Sequence, residues 1–361
     1  MPVFLFYKIC LYLDTHFVLD LFPKVSFLST SITTKMISYR KTATLIIALN
    51  LLACAAFAQK WEVSEPENTP EKRHENAMAT ANGKLYLLGG RGVKPVDEYD
   101  FKKDAWTSLK ATPLEMSHFQ AVTYKNEIYV LGAFTGGYPH ETPIPNIYIY
   151  NPLKNEWRKG AAIPQNRLRG AAGAFVLNDK IYVVCGIQDG HWDGQVTWFD
   201  EFDPATETWK TLADAPRPRD HVQVAVLDNK LYVAGGRLST ARINQVLNTV
   251  IKEVDVYDFK TGKWSTLDSA NNLPTLRAGN TTVVYGNKIL IIGGESEAHV
   301  EAHNEVEAFN TQTQKWEKLP SLHQGRHGTQ AVSLNKKVYI AAGSANRGGG
   351  PELNDMEILD K

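Results

Sequence analysis

Cysteine is scarce in this chain, which contains three in 361 residues. Two of them, Cys10 and Cys54, fall within the first 59 residues, whose composition differs from that of the rest. Cys185 is then alone in the remaining chain, so no internal disulfide can form there. Stability must therefore come from packing and from closure of the fold.

An excess of either charge is also lacking, because 39 Lys and Arg residues balance 39 Asp and Glu residues. The sequence therefore predicts no nucleic-acid partner. Hydrophobic residues make up 43% and charged residues 22% of the chain, which excludes wholesale disorder. No helical hydrophobic period is present, so a helical fold is not expected.

The one long apolar run lies near the N-terminus. Residues 36–58 carry two early basic residues, an apolar run over 43–57 and a final Ala-Phe-Ala. This order predicts a secretory signal peptide cleaved after Ala58, because the run is too short and too rich in small residues for a membrane span. We expect an upstream extension at 1–35, the signal peptide at 36–58, and a secreted or periplasmic domain at 59–361 without a transmembrane span. Lipidation of Cys54 is the alternative.

The rest of the chain repeats one unit six times. Each unit has an apolar segment that ends in two small residues: LYLLGG, IYVLGA, IYVVCG, LYVAGG, ILIIGG and VYIAAG. Turn-forming residues precede every segment, as in Asn82-Gly83, Asn126-Glu127 and Asn335-Lys336. A turn of this kind between two apolar alternating runs predicts a tight hairpin.

Two further strands follow the small pair in each unit. The third strand is VDEYD, IYIYN, FDEFD, VDVYD, VEAFN or MEILD. A fourth strand in five units contains Trp106, Trp157, Trp209, Trp264 or Trp316. Four short antiparallel strands per repeat predict the blade of a β-propeller.

The two ends of the repeat region complement each other. The last unit stops after its third strand, and the segment around Trp61 is a fourth strand with no others before it. Pairing of the two would remove both exposed edges. We therefore predict an all-β fold, a six-bladed propeller closed by its N-terminal strand.

These signals resemble those of Kelch-repeat β-propellers. The double glycine, the aromatic residue of strand three and the Trp of strand four match over roughly residues 60–361. The chain departs at Gly132-Ala133, Cys185-Gly186 and Ala342-Gly343, where a small residue replaces one glycine. The resemblance implies a propeller whose loop-bearing face binds ligands.

Basic residues recur where strand one begins. Thirteen residues before the aligned aromatic column, blade two has Met116 and the other five blades have Arg73, Arg169, Arg219, Arg277 and Arg326. Histidines lie within two residues of this point in four blades, as His74, His118, His221 and His327. Five guanidinium groups around one channel mouth would suit a carboxylate-bearing ligand. Pairing of each arginine within its own blade is the alternative.

The loops contain further candidate ligand-binding residues, but they contain no metal-binding motif. Tyr138, His191 and Trp192 lie in insertions after the small pairs, where an aromatic ring could stack on a sugar or pack on its own loop. His299 and His303 are four residues apart, but the intervening sequence differs from the zinc-protease motif. We therefore expect no metal and no cofactor.

We expect an exported binding or scaffold module that recognises an anionic carbohydrate or an acidic protein ligand at the Arg-lined face, with homo-oligomer formation left open. One alternative, implied by resemblance to exported bacterial Kelch propellers, is a sialic-acid epimerase (mutarotase). Its proton donor and acceptor would come from the weak candidates Glu295, His221 and His327. A second alternative is a pure protein-assembly module. No nucleophile motif is present, so no other catalytic residue is predicted.

Overall fold

The computed structural model describes residues 59–360, which form six four-stranded antiparallel sheets and two short two-stranded ribbons. The predicted upstream extension, signal peptide and lipidation of Cys54 lie outside the described residues. Within residues 59–360, no helix has the length and hydrophobicity that a membrane crossing requires.

The strands follow one another as blades in chain order. The N-terminal strand is β1 (Lys60–Ser64). Blade one contains β2 (Asn76–Ala81), β3 (Lys84–Gly89), β4 (Pro95–Asp100) and β5 (Ala105–Ala111). Blade two contains β6 (Val122–Tyr124), β7 (Glu127–Val130), the ribbon β8 (Phe134–Thr135) and β9 (Thr142–Pro143), then β10 (Asn146–Asn151) and β11 (Glu156–Ala162). Blade three contains β12 (Gly173–Leu177), β13 (Lys180–Val184), the ribbon β14 (Ile187–Asp189) and β15 (Asp193–Gln195), then β16 (Phe199–Asp203) and β17 (Thr208–Thr211).

The remaining three blades lack such ribbons. Blade four contains β18 (Val224–Leu227), β19 (Lys230–Val233), β20 (Asp255–Asp258) and β21 (Lys263–Thr266). Blade five contains β22 (Thr281–Tyr285), β23 (Lys288–Ile292), β24 (Val306–Asn310) and β25 (Lys315–Leu319). Blade six contains β26 (Ala331–Leu334), β27 (Lys337–Ala341) and β28 (Met356–Asp360). Single 3-10 turns occur at Gln165–Arg167, Ala241–Ile243 and Ser269–Asn271.

The N-terminal strand closes the ring as the sequence predicts. β1 pairs antiparallel with β28, with Trp61 opposite Leu359, and so becomes the fourth strand of blade six. The Trp61 side chain is buried, and its Nε1 donates a hydrogen bond to the carbonyl of Pro320 in blade five at 3.0 Å. This strand therefore holds the last blade both to itself and to its neighbour.

Six clusters of the hydrophobic core form layers that lie one between each pair of neighbouring blades, and a small seventh cluster of three residues lies beside the ribbons of blades two and three. Tyr86 and Leu88 of blade one, for example, pack with Val130 and Tyr150 of blade two. The layer that joins blade six to blade one, with Tyr339 among its residues, completes the circle. Because the side chains of a strand alternate between two faces, the middle strands serve two of these layers at once.

The paired small residues make the predicted sharp turn away from strand two. Gly293 has φ +62°, and a Cβ there would lie 2.2 Å from the carbonyl oxygen of Arg326, so blade five requires glycine. Cys185 and Ala342 occupy the same position in two other blades with φ of 60° and 59°. Small residues thus substitute for glycine here, although a left-handed backbone is strained for them.

The six predicted hairpin turns are present, one of them shifted by a residue. In blade two, Lys125 and Asn126 have positive φ and connect Tyr124 to its partner Glu127. The turn therefore precedes the predicted pair Asn126-Glu127 by one position. Asn126 belongs to both the predicted and the observed turn, and asparagine tolerates the left-handed region well.

Candidate functional site at the propeller mouth

The five arginines of the repeat lie inside the blades. Each side chain runs from the start of strand one to backbone carbonyls beside the small pair and to a carboxylate on strand three. In blade four, Nη1 of Arg219 donates to the carbonyl of Gly235 at 2.8 Å, and Nη2 lies 2.5 Å from Oδ2 of Asp255. The set, at most 3% exposed, is Arg73, Arg169, Arg219, Arg277 and Arg326.

The expectation of an arginine-lined, positively charged mouth is therefore wrong. The partner carboxylates occupy the second position of the third-strand segment in five blades, as Asp97, Asp200, Asp255, Glu307 and Glu357. Blade two has Met116 in place of the arginine and Tyr148 in place of the acid, so the two partners are absent together. That coupled pattern is visible in the sequence and would have identified the arginines as internal ion pairs.

A ring of left-handed residues surrounds the channel two positions after the arginine column. The ring consists of Glu75, His118, Ala171, His221, Gly279 and Gly328, with φ between 50° and 63°. Backbone hydrogen bonds connect neighbouring blades here, including His118 N to Glu75 O at 3.0 Å and Gly279 N to His221 O at 2.9 Å. Because all six blades have a left-handed residue at this position, the ring is a feature of the fold, and it places Glu75, His118 and His221 around the channel.

A pocket of about 690 Å³ opens above this ring on the loop-bearing face. Tyr138 and His191, from the ribbon loops of blades two and three, form part of its wall with their ring centroids 5.1 Å apart. Its charged lining is Arg91, Arg237, Glu75, Glu115 and Glu295. The volume lies within the usual range for small-molecule sites.

The predicted contact residues divide between this pocket and its surroundings. His74, His118, Tyr138, His191 and the weak catalytic candidate Glu295 line the pocket. His221 lines a smaller cavity in the channel below. His327 is buried beside Glu295, and Trp192 packs on His140 with ring centroids 4.5 Å apart.

Arg237 is a mouth residue that the sequence analysis missed. Its Nη1 donates to Oε1 of Glu295, and its Nε donates to Oγ of Ser239 at 2.9 Å. Oε2 of Glu295 in turn lies 3.5 Å from Nε2 of His327. The available signal was an arginine directly after a glycine pair, which occurs at Arg91 and Arg237.

Burial and neighbouring charges shift the pKa values of two carboxylates and two histidines at the mouth. Burial by itself would raise the pKa of Glu295, but His327 and Arg237 outweigh it and hold that pKa well below the ordinary value. The pKa of Glu75 is lowered in the same way, against burial, by His327 and His221. Burial lowers the pKa of His118 and of His221. The pocket therefore offers carboxylate acceptors, and burial favours the neutral form of the His118 and His221 rings.

Three histidines from different blades meet at the floor of the pocket. His118, His191 and His221 each place a ring nitrogen within 4.8 Å of the other two. His118 and His221 follow from the repeat, whereas His191 arrives on the loop between β14 and β15. The proximity of these three side chains could not be predicted from their spacing in the sequence, because 73 residues separate His118 from His191 and 30 separate His191 from His221.

A second group with metal-binding side chains lies in blade five, around His299, His303 and Glu305. Both ring nitrogens of His303 already have protein partners, Oγ of Ser296 at 2.8 Å and Oε2 of Glu305 at 3.0 Å. Nδ1 of His299 contacts the carbonyl of Glu301. These contacts account for the group as part of its own loop.

Comparison with known proteins gives consistent matches to one family. A family model described as the KLHDC2/KLHL20/DRC7 Kelch-repeats domain matches residues 46–236 and 136–343. Kelch-like protein terF of Aspergillus terreus is 25% identical over 334 residues, 86% of this chain and 71% of that protein. Kelch-like protein 38 of Rattus norvegicus is 25% identical over 264 residues, 72% of this chain and 42% of that protein.

Other relatives extend the comparison to distant species and to a solved structure. Alpha-scruin of Limulus polyphemus is 26% identical over 309 residues, 82% of this chain and 30% of that protein. The solved structure of YjhT matches with a TM-score of 0.67 at 19% identity and covers 82% of this chain and 99% of that one. At this identity the likeness shows the fold alone. The chain spans less than half the length of Kelch-like protein 38 and of alpha-scruin.

Proposed function

This chain belongs to the Kelch-repeat family, and from that premise we propose that it is a binding module whose mouth pocket takes up a small carbohydrate. The observation that carries the proposal is the wall formed by Tyr138 beside the buried polar floor. The Tyr138 ring is 62% exposed although it borders a pocket of about 690 Å³. An exposed aromatic face next to fixed hydrogen-bonding groups suits the apolar face and the hydroxyl edge of a sugar ring.

The charged lining favours hydroxyl recognition over attraction of an anion. Two arginines and three glutamates border the pocket, and both arginines are already paired, Arg91 with Glu141 and Arg237 with Glu295. Carboxylates accept hydrogen bonds from hydroxyl groups, and the fixed arginines donate them. The preference for an acidic sugar was predicted from arginines that lined the mouth, and their burial inside the blades removes its main support.

A glycan panel containing neutral and acidic sugars tests this proposal, with binding measured by calorimetry for every positive sugar. Tyr138→Ala is expected to weaken binding about 10-fold, which corresponds to the loss of roughly 1.4 kcal/mol of ring contact. Leu153→Ala is the matched control, because Leu153 is exposed in the same blade but lies in the strand-three to strand-four turn. If no sugar binds, or if both variants bind equally well, the carbohydrate proposal fails and a protein ligand at this face becomes the better hypothesis.

A second candidate function is a mutarotase that acts on a sugar such as sialic acid. The observation in its favour is that two weak catalytic candidates lie together, with Nε2 of His327 3.5 Å from Oε2 of Glu295. Ring opening would need one group to protonate the ring oxygen while another accepts the anomeric hydroxyl proton, and reclosure would reverse both transfers. NMR exchange between the anomers, with Glu295→Gln as the inactive variant, separates this enzyme from a simple binder.

Export is part of the proposed function. We propose that residues 36–58 direct the chain out of the cytoplasm and are then removed, with lipidation at Cys54 as the alternative. Mass spectrometry of the processed protein distinguishes the two. An N-terminus at Gln59 supports cleavage after Ala58, whereas a lipid-modified Cys54 supports the alternative.

A further inference from the structure

We propose that His118, His191 and His221 bind a divalent transition-metal ion at the floor of the mouth pocket, with Zn²⁺ as the best-suited ion. One nitrogen of each ring lies within 4.8 Å of the other two, and the ring centroids are 4.5–5.2 Å apart. Three imidazoles with a remaining position for a further ligand are an established donor set for zinc. The ion would draw the rings together by small side-chain rotations.

The partners of the three rings fix which nitrogen faces the ion. Nδ1 of His221 lies 2.5 Å from Oδ1 of Asp220, and Nδ1 of His191 lies 3.0 Å from Oε2 of Glu141. Nδ1 of His118 lies 3.0 Å from Oγ of Ser117. Because metal-binding histidines characteristically engage their other nitrogen in such a contact, the Nε2 atoms are the ones left for a metal.

An unpartnered buried nitrogen is the independent sign of a ligand. His221 is 6% exposed, and its Nε2 has no hydrogen-bond partner among residues 59–360. Buried polar atoms in native proteins are nearly always paired, so such an atom calls for a specific explanation. His118 and His221 occupy two of the six left-handed ring positions, so the backbone of the fold fixes where both side chains begin.

The charge around the cluster suits a dication. Asp220 and Glu141 are buried against two of the rings, and Oε2 of Glu75 lies 3.4 Å from Nε2 of His118. Arg91 and Arg237 are the cations that act on the cluster, and each is paired with a carboxylate, Glu141 and Glu295 respectively. Glu75 lines the pocket beside His118 and is therefore placed to contact either the ion or a molecule bound to it.

This inference concerns a different group from the one that the sequence brought to attention. His303 uses both ring nitrogens within its own loop, whereas His221 leaves one without a partner. The proposal does not depend on the carbohydrate proposal either, because the ion itself is the probe.

The test is calorimetric titration of the full chain with ZnCl₂ after removal of metals by a chelator. We expect one ion per chain, and we expect His191→Ala and His221→Asn each to reduce the affinity by at least about 100-fold. Glu141→Gln, which weakens the contacts of Glu141 with His191 and with Arg91, should reduce it about 10-fold to 100-fold. Cobalt(II) in place of zinc should give the visible absorption of a tetrahedral complex, and His191→Ala should abolish it.

His299→Ala is the matched control, since it removes a histidine from the blade-five group and should leave both stoichiometry and affinity unchanged. Circular dichroism establishes that each variant is folded. Absence of binding by the folded wild-type chain would overturn the proposal. So would equal affinity of the wild type and His191→Ala, or loss of the site in His299→Ala alone.

Discussion

Arg219 and His221 lie two residues apart at the same blade entrance, yet their surroundings differ completely. The guanidinium group contacts Asp255 and the carbonyl of Gly235 inside its blade. The imidazole faces the axis, with one nitrogen against Asp220 and the other without a partner. The arginine that recurs in five blades thus forms the same kind of internal ion pair in each of them. The residues available for binding are those whose side chains line the channel and the pocket above it.

The largest expected effect comes from breaking one internal ion pair. Arg73→Met leaves Asp97 in a site that is 1% exposed without its cation, and we expect the free energy of unfolding to fall by about 3–5 kcal/mol. Denaturant unfolding measures this loss. The control, Arg242→Met, breaks the exposed pair with Asp193 and should cost about 1 kcal/mol or less.

Removal of both charges sharpens the same test. Arg73→Met combined with Asp97→Asn reproduces the uncharged arrangement that blade two has with Met116 and Tyr148. The double variant should be more stable than Arg73→Met alone, because no unpaired buried charge remains. Equal or lower stability of the double variant would mean that the pair is not what stabilises the blade.

We expect zinc to raise the free energy of unfolding only when the histidine cluster is intact. At a free zinc concentration 100 times Kd, we expect the wild type to gain about 2.7 kcal/mol of unfolding free energy. His221→Asn should gain about 0.4 kcal/mol or less under the same conditions, because its expected Kd is at least about 100-fold higher. Asparagine tolerates the left-handed backbone of this position. Thermal unfolding with and without zinc gives the comparison, and an equal gain in both proteins would contradict the assignment of the ligands.

Labelling of the Cys185 thiol gives a second measure of how much the arginine ion pairs stabilise the fold. Cys185 is buried at a small-residue position, and its carbonyl accepts a hydrogen bond from Nε of Arg169 at 2.9 Å. Burial raises the pKa of its thiol to about 11, so labelling should proceed only through unfolding. Arg73→Met should accelerate it about 100-fold or more, the factor for roughly 3 kcal/mol. Peptide mass spectrometry follows the reaction, and rapid labelling of the folded wild type would show that the blade opens locally.

The smallest expected effect on stability belongs to Tyr138. Its ring is 62% exposed, so Tyr138→Ala should change the free energy of unfolding by about 0.5 kcal/mol or less. Chemical denaturation checks this value. A loss of several kcal/mol would mean that the ring is needed to hold its loop, and the binding role proposed for it would lose its basis.

The architecture could be predicted from the sequence because each type of strand and turn recurs six times. Trp61 had no blade of its own and the last unit had no Trp, so ring closure followed and is confirmed by the pairing of β1 with β28. The turns and the third and fourth strands followed from the same redundancy. A one-residue shift at Lys125 shows the limit of that approach.

The mouth could not be derived in the same way. The inward direction of the five arginines depends on acids that follow tens of residues later, a pairing that is visible in the sequence only when Met116 and Tyr148 are compared with the other blades. The meeting of His118, His191 and His221 depends on the path of the β14–β15 loop across the face. Ribbon loops of this kind occur in two of the six blades, and nothing in a repeat pattern specifies where they go.

The most direct test of the account is anomalous diffraction at the zinc absorption edge from crystals of the zinc-treated protein. We expect one peak bonded to the Nε2 atoms of His118, His191 and His221, with Arg219 and the other column arginines still paired inside their blades. A map with no peak at that position, or with zinc bound only at His299 and His303, would contradict it.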